Sequence, residues 1–293
     1  MTSASSLALV VACMERRYPP STAEDWDAVG LVCGDPQAPV RRILWAVDPV
    51  EAVVDQAIDV GADLVITHHP LFLSGVHSVA ATTAKGRIVH RLISAGIALY
   101  CAHTNADVAD PGVSDALAAT IGLTHTRPVI PAQPDRDGFA VPPGRTERSE
   151  GIGTGLGRIG ELEEATTLAG LAARVADALP PTRHGVRVAG DLDRRVHRVA
   201  VCGGSGDSLL GIATDMGADV LVTADLKHHR ALEHLEEGGC AIIDVAHWAS
   251  EWPWLEQAAQ LLDSDLAREG TTVVSVVSAQ PTDPWSMTLR SEP

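Results

Sequence analysis

Two adjacent histidines, His68 and His69, close a short apolar run, Asp63-Leu64-Val65-Ile66-Thr67, that has Gly61-Ala62 before it and Pro70 after it. A run bounded in this way predicts a buried strand. Rings at such a strand's end lie where open α/β sheets bind their ligands. Successive strand residues point to opposite faces, so a regular strand aims only one of the two rings at a given ion. A backbone that curls at Pro70 would let the pair serve two neighbouring ions; the plainer reading is two polar residues capping a turn. Three more strand ends carry similar groups. His103 and Asp107 follow the run Ile97 to Cys101, and Asp225, Lys227, His228 and His229 follow Thr223. His247 and Glu251 come after Gly239 to Ile243, with Asp244 just before them. Four residues apart, His247 and Glu251 share a face on a helical turn.

The set His68, His69, Asp107, His247 and Glu251 offers imidazole and carboxylate without thiolate. That chemistry suits Zn, Mn, Fe or Ni and disfavours a structural cysteine-type zinc site. Three imidazoles and two bridging carboxylates under-ligate a pair of divalent ions. Water would fill the open positions, as in catalytic two-metal centres. The competing reading is a chance constellation of surface caps in a chain with 12 histidines and 38 acidic residues.

Alternating elements must position these groups. The pattern predicts a helix over Ser3 to Arg17, a short strand at Val29 to Gly34, a strand over Arg42 to Val47 and a helix over Pro49 to Val60. After the His-His strand come a helix from about Thr82 to Ala95, a strand over Ile97 to Cys101 and a helix around Ser114 to Ile121. Such alternation indicates βαβ units and a mainly parallel sheet. Pro131 to Gly144 reads as a loop. The glycine-rich stretch Gly151 to Leu162 lacks the order of a dinucleotide fingerprint and reads as a strand, with phosphate contact as the lesser alternative. Leu168 to Leu179 is a helix, and the tail carries a last strand at Thr272 to Val277.

The chain then repeats itself. Val196-His197-Arg198-Val199 echoes Val40-Arg41-Arg42-Ile43, and Asp215 to Thr223 echoes Asp59 to Thr67 at the same offset. A third echo sets Gly239 to Ile243 against Gly96 to Tyr100 at a shorter spacing. This is one α/β unit duplicated, not a solenoid. The expectation is an α/β protein of two similar domains with mainly parallel sheets and a metal site in the cleft between them. The first half covers residues 1–130, with the chain able to return to it at the C-terminus. A linker covers 131–150, and the second half covers 151–293.

At 293 residues the chain can bury a large core. Its net charge of −16 disfavours a nucleic-acid scaffold, which needs a basic face, yet leaves room for a small anionic substrate in a local pocket. Five scattered cysteines without a CxxC pair fit a reducing compartment. With no stretch long enough to span a bilayer and no signal-peptide pattern, the expected location is cytoplasmic, away from membranes.

The segments AEDWDAVGLVCGDP, ITHHPLF, AHTNADVA, VAVCGGSGDSL, VTADLKHH and DVAHWASE, in that order, resemble the NIF-three-like family, also called the YbgI-like dinuclear metal centre proteins. The resemblance spans roughly Ala23 to Trp285. It implies a pair of similar α/β domains, two metal ions in the cleft, and a toroidal homohexamer whose sites face an inner cavity. It implies that His68, His69, Asp107, His247 and Glu251 are the ligands of two divalent ions. Members are commonly called GTP cyclohydrolase type 2 homologues, which implies a hydrolase acting on a small molecule such as a nucleotide by metal-activated water. Lys227, His229 or His103 would then carry a proton or hold an anion; Lys227 reads equally as an ordinary solvated residue. Ala28 stands where the family usually has Asn, so that side chain's role is missing here. Gly203-Gly204-Ser205-Gly206 reads either as an anion-binding turn or as a plain tight turn. Trp248, Trp252 and Trp254 read as packing residues. A metal carrier without turnover and a regulatory interaction protein are the rival classes.

Overall fold

The computed structural model describes residues 5–132 and 153–289. The expected linker over 131–150 therefore lies, apart from Pro131 and Ala132, outside the described residues. The chain opens with β1 (Ser5–Ser6), α1 (Leu7–Arg17), β2 (Gly30–Cys33), β3 (Pro39–Val40), β4 (Arg42–Ala46), α2 (Glu51–Asp59) and β5 (Leu64–Thr67). It continues through α3 (Ala84–Ser94), β6 (Ala98–Cys101), the single turn α4 (Thr104–Asp107), α5 (Val113–Thr120), β7 (Leu123–Pro131) and β8 (Gly155–Thr167). Then come α6 (Leu168–Ala178), β9 (Arg187–Ala189), β10 (Arg195–Ser205), α7 (Leu210–Asp215), β11 (Val220–Ala224), α8 (His228–Glu236), β12 (Ala241–Val245), α9 (His247–Arg268) and β13 (Val274–Val277).

These elements make two compact units. The first is Met1–Ala106 with Leu255–Thr282, and the second is Asp107–Trp254 with Asp283–Pro293. The first holds a five-stranded sheet in the order β13-β4-β5-β6-β2. Its first four strands run parallel, and β2 closes the edge antiparallel to β6. The central strands β5 and β6 are buried along their whole length, as their unbroken apolar sequence requires of a sheet covered on both faces. Val53, Val54 and Ala57 of α2 and Ile88, Val89 and Leu92 of α3 pack with Leu44, Val65 and Leu99 from the sheet.

The second unit holds a six-stranded sheet in the order β7-β8-β10-β11-β12-β9. Its centre, β10-β11-β12, is parallel, and β7, β8 and β9 are joined antiparallel. From Gly155 on, the glycine-rich stretch is the start of β8. It bends around Arg158, which is 1% exposed and donates to Asp115, Ala109 O, Gly155 O and Gly157 O at 2.6–2.8 Å. Gly157 has φ +64, where a side chain is strained. Gly155 and Gly157 thus serve strand geometry.

The duplication has a physical basis in each unit. Asp63 Oδ2 accepts from the backbone N–H of Arg41 and Arg42 at 2.7 and 3.0 Å. Asp219 Oδ2 accepts from His197 and Arg198 at 2.8 Å each. Gly61 and Gly217 end the preceding helices at φ +64 and +76, the left-handed conformation that glycine adopts most cheaply at a helix C-terminus. The shared motif thus fixes how the helix hands the chain to the central strand.

Candidate metal centre

In the first unit the pairing of β5 with β4 runs on past Thr67. His68 N donates to Ala46 O at 3.2 Å and His69 N to Val47 O at 2.8 Å. The Thr67 hydroxyl donates to His69 O at 2.8 Å, which turns the chain at the strand end. Both rings then come together with His103, which follows β6. The ring centroids of His68 lie 5.1 Å from those of His69 and His103, and the His69–His103 separation is 5.6 Å. One ring nitrogen from each residue lies within 4.8 Å of the others, so the three could hold a metal ion.

Each ring is oriented from behind. His68 Nδ1 donates to Ala102 O at 3.0 Å, His69 Nδ1 to Asp48 Oδ1 at 2.6 Å and His103 Nδ1 to Asp27 Oδ1 at 2.9 Å. In a neutral imidazole a proton held at Nδ1 leaves the lone pair on Nε2, and an acceptor behind the ring raises ligand basicity. Asp27 is itself fixed by the backbone N–H and hydroxyl of Thr104 at 3.0 and 2.6 Å. Burial works to raise the Asp27 carboxyl, but the hydrogen bonds from Thr104 and His103 outweigh it and hold the group below its ordinary value. Burial pushes the His103 ring below the ordinary imidazole range, and His68 beside it adds to the shift. A neutral ring is the form that ligates a metal or accepts a proton.

The second unit brings a donor pair of its own. His247 opens α9 directly after β12, and its Nε2 lies 2.9 Å from Oε1 of Glu251 one turn on. His247 Nδ1 donates to Asp225 Oδ2 at 2.6 Å. Asp225 has φ +58, a conformation that Asp tolerates better than most residues. Glu251 is 3% exposed. The space in front of it depends on Gly204: a Cβ there would lie 2.5 Å from Glu251 Oε1 and 3.2 Å from His247 Nε2. Asp107, at the end of α4, belongs to the same unit. Burial raises the Cys202 thiol, and the charges of Asp107 and Glu251 raise it further, which sets both carboxylates near that thiol.

Lys227 and His229 are exposed at the start of α8, and the His229 ring packs 5.2 Å from that of His228. Asp244 bonds His184 at 3.1 Å, Arg187 and the backbone of Leu226, so it serves β12 and not the donor pair. The anion reading of Gly203 to Gly206 fails at its first two N–H groups. Gly203 N donates to Ser114 Oγ at 3.3 Å and Gly204 N to Ser250 Oγ at 2.8 Å. Trp248 and Trp254 are buried packing residues. Asp27, Asp48 and Asp225 have orienting roles that the sequence analysis did not assign. Asp27 lies within AEDWDAVGLVCGDP and Asp225 within VTADLKHH, and Asp48 stands just past the end of β4, the one signal its sequence position offers.

The donor set of imidazoles and carboxylates, each imidazole backed by an acceptor, fits a hard-to-borderline divalent ion. A sequence model described as Duf34/NIF3 (NGG1p interacting factor 3) matches residues 6–284. The chain belongs to this family. A Streptomyces coelicolor protein called GTP cyclohydrolase 1 type 2 homolog is 48% identical over 287 residues, covering 98% of this chain and 96% of that protein. A Mycobacterium tuberculosis protein of the same name is 38% identical, covering 96% and 97%. Among solved structures, a Bacillus cereus protein related to NIF3 superposes with a TM-score of 0.85 at 27% identity, covering 98% of this chain and 100% of that one. Staphylococcus aureus protein SA1388 gives a TM-score of 0.84 at 31% identity, covering 97% and 99%. Among the described residues, no helix of this family member is long and apolar enough to cross a membrane.

Proposed function

We propose that this DUF34/NIF3 protein is a dinuclear metal-dependent hydrolase. His68, His69, Asp107, His247 and Glu251 would hold two divalent ions of the Zn, Mn, Fe or Ni class. The observation that carries the reading is the pattern at Nδ1. Four imidazoles, on three different segments, each donate that nitrogen to an acceptor: Ala102 O, Asp48, Asp27 and Asp225. Capping residues on a surface have no need of such uniform backing, whereas metal-ligating histidines nearly always have it. Bound ions would supply Lewis acidity and lower the pKa of water. The chain's own groups would do the rest. His103 is held neutral, with its proton at Nδ1, and would accept a proton at Nε2. Lys227 and His229, exposed at the start of α8, would meet an anionic substrate or return a proton to it. The name shared by the relatives supports a nucleotide as the substrate, opened or cleaved by water, and the family resemblance supports a hexameric assembly.

The same ligands would serve a metal carrier without turnover, and the solvent exposure of Lys227 and His229 is what favours that second reading. Both are tested by metal analysis of protein purified without added ions, followed by a hydrolysis screen over nucleotides and phosphoesters. The hydrolase reading expects about two ions per chain, loss of metal in His68→Ala and Glu251→Ala, and turnover that falls in Lys227→Ala or His229→Ala while metal is retained. Parent-level metal in His68→Ala and Glu251→Ala would sink the site assignment.

A further inference from the structure

The duplication isolates one elaborated connection. In the second unit β11 ends at Ala224 and α8 begins at His228, so three residues make the strand-to-helix passage. The matching passage in the first unit, from Thr67 to Ala84, takes sixteen residues, His68 to Thr83. Connecting strand to helix does not need that length, and loops so long inside a compact unit are usually functional. The extra chain is built, not loose. Ala80 N donates to Ser78 Oγ at 3.2 Å, and Gly86 N to Thr83 Oγ1 at 3.0 Å. The loop returns so close to α3 that a Cβ on Gly86 would stand 1.9 Å from Ala80 O.

Between this loop and the start of α3 lies a cavity of about 540 Å³, within the range of small-molecule sites, roughly 300–1,000 Å³. Phe72, Leu73 and Val76 give it apolar walls, Ser74 and Ser78 add hydroxyls, and Lys85 closes one side. The Lys85 ammonium stands 5.7 Å from the centre of the Phe72 ring. Phe72 is three residues beyond His69, so its Cα is at most about 11 Å away along the chain. Leu73 and Val76 are 51% and 48% exposed, an apolar surface open to solvent on the loop that leaves His69.

We propose that this cavity is the substrate-body subsite of the metal centre and takes the planar ring of an anionic molecule of nucleotide size. The ring lies along Phe72 and the aliphatic walls, and Lys85 meets an anionic oxygen carried elsewhere on the same molecule. In a chain of net charge −16, one cation set against an aromatic face gives a local preference for an anion that the global field lacks. The subsite rests on the hydrolase reading only for what happens next, namely that the bound molecule's reacting group is presented to the imidazoles.

The test uses full-length, metal-free protein and calorimetric titration with GMP, guanosine and inorganic phosphate, so that binding is read without turnover or metal. GMP should bind about tenfold more tightly than guanosine, the share of one charge-assisted contact, and phosphate alone should bind more weakly than either. Lys85→Gln should erase the difference between GMP and guanosine. Phe72→Ala should weaken both ligands by about tenfold, with metal uptake in both variants equal to the parent. Failure of the metal site with this binding intact would overturn the hydrolase reading and leave the subsite standing. GMP affinity unchanged in both variants would overturn the subsite, as would phosphate binding as tightly as GMP. The Leu73→Ser/Val76→Ser variant should keep the parent's mass in light scattering. If it changes mass while GMP affinity stays at the parent value, the patch is a self-association surface and the proposal is wrong.

Discussion

At Gly204 one missing Cβ decides whether a carboxylate can approach a ring. Its first-unit counterpart by the sequence offset is Asp48, a carboxylate that backs His69 at 2.6 Å. Where the first unit orients a ring from behind, the second leaves room for Glu251 in front of His247. Gly204 also has φ +69. Gly204→Ala therefore meets both a steric and a conformational penalty. We expect it to lower stability by about 1–2 kcal/mol in urea denaturation and to displace Glu251 enough to weaken metal uptake at least tenfold, read by chelator competition. Parent-level uptake would show that the carboxylate's approach is not needed. At this scale the ligand candidates were legible because imidazoles at strand ends are conspicuous by type alone. The orienting residues were not. The role of Asp27 exists only once folding sets it against His103 and Thr104, far along the chain, and no local pattern marks a carboxylate for that task.

Whole elements were read best where their residues do a backbone job. The strand Leu64–Thr67 and the helix Leu168–Ala178 stand within a residue or two of where apolar runs, caps and glycines placed them. β7 went unread because its sequence, LTHTRPVIP, carries little alternation; it is held by partners on β8. The length of α9, 22 residues with Pro253 inside, was hidden by that proline. Two predictions belong here. Arg158 is almost fully buried and its charge is answered by Asp115 on α5 through two contacts of 2.6 Å. Asp115→Ala leaves that guanidinium uncompensated and should cost about 3–5 kcal/mol in denaturant titration; a loss below 1 kcal/mol would mean solvent reaches the site. On α9, burial pushes the Asp263 carboxyl above its ordinary value, opposed by the hydrogen bond from Ser275 at 2.9 Å. A raised folded-state value means that the unfolded chain releases the proton first as pH rises, so stability is lost from the ordinary carboxylate range up through the folded value. Asp263→Asn keeps an acceptor for Ser275 without the charge. Its melting temperature should exceed the parent's at pH 7, and the advantage should close as pH falls below the ordinary carboxylate range. An advantage independent of pH would assign the effect to packing.

For the molecule as a whole, the duplication was legible because Asp63 and Asp219, and Gly61 and Gly217, perform the same backbone task at the same offset. The strand ends are where the copies differ in chemistry: one carries His68-His69 and the other Ala224-Asp225. The shared residues do backbone work, and the ends are open to chemistry, which is the usual division between scaffold and site. If the two donor sets hold their ions jointly, metal becomes a term in the stability of the entire chain. Ligand at a hundred times its dissociation constant adds about 2.7 kcal/mol, so reloading chelator-treated protein should raise the melting temperature by several degrees. His68→Ala, in the first unit, and Glu251→Ala, in the second, should each abolish most of that rise. The double variant should then lose little more than either single one, because each has already emptied the shared centre. Losses that simply add would show two independent sites, one per unit, and would remove the basis for a dinuclear mechanism even if each site proved occupied.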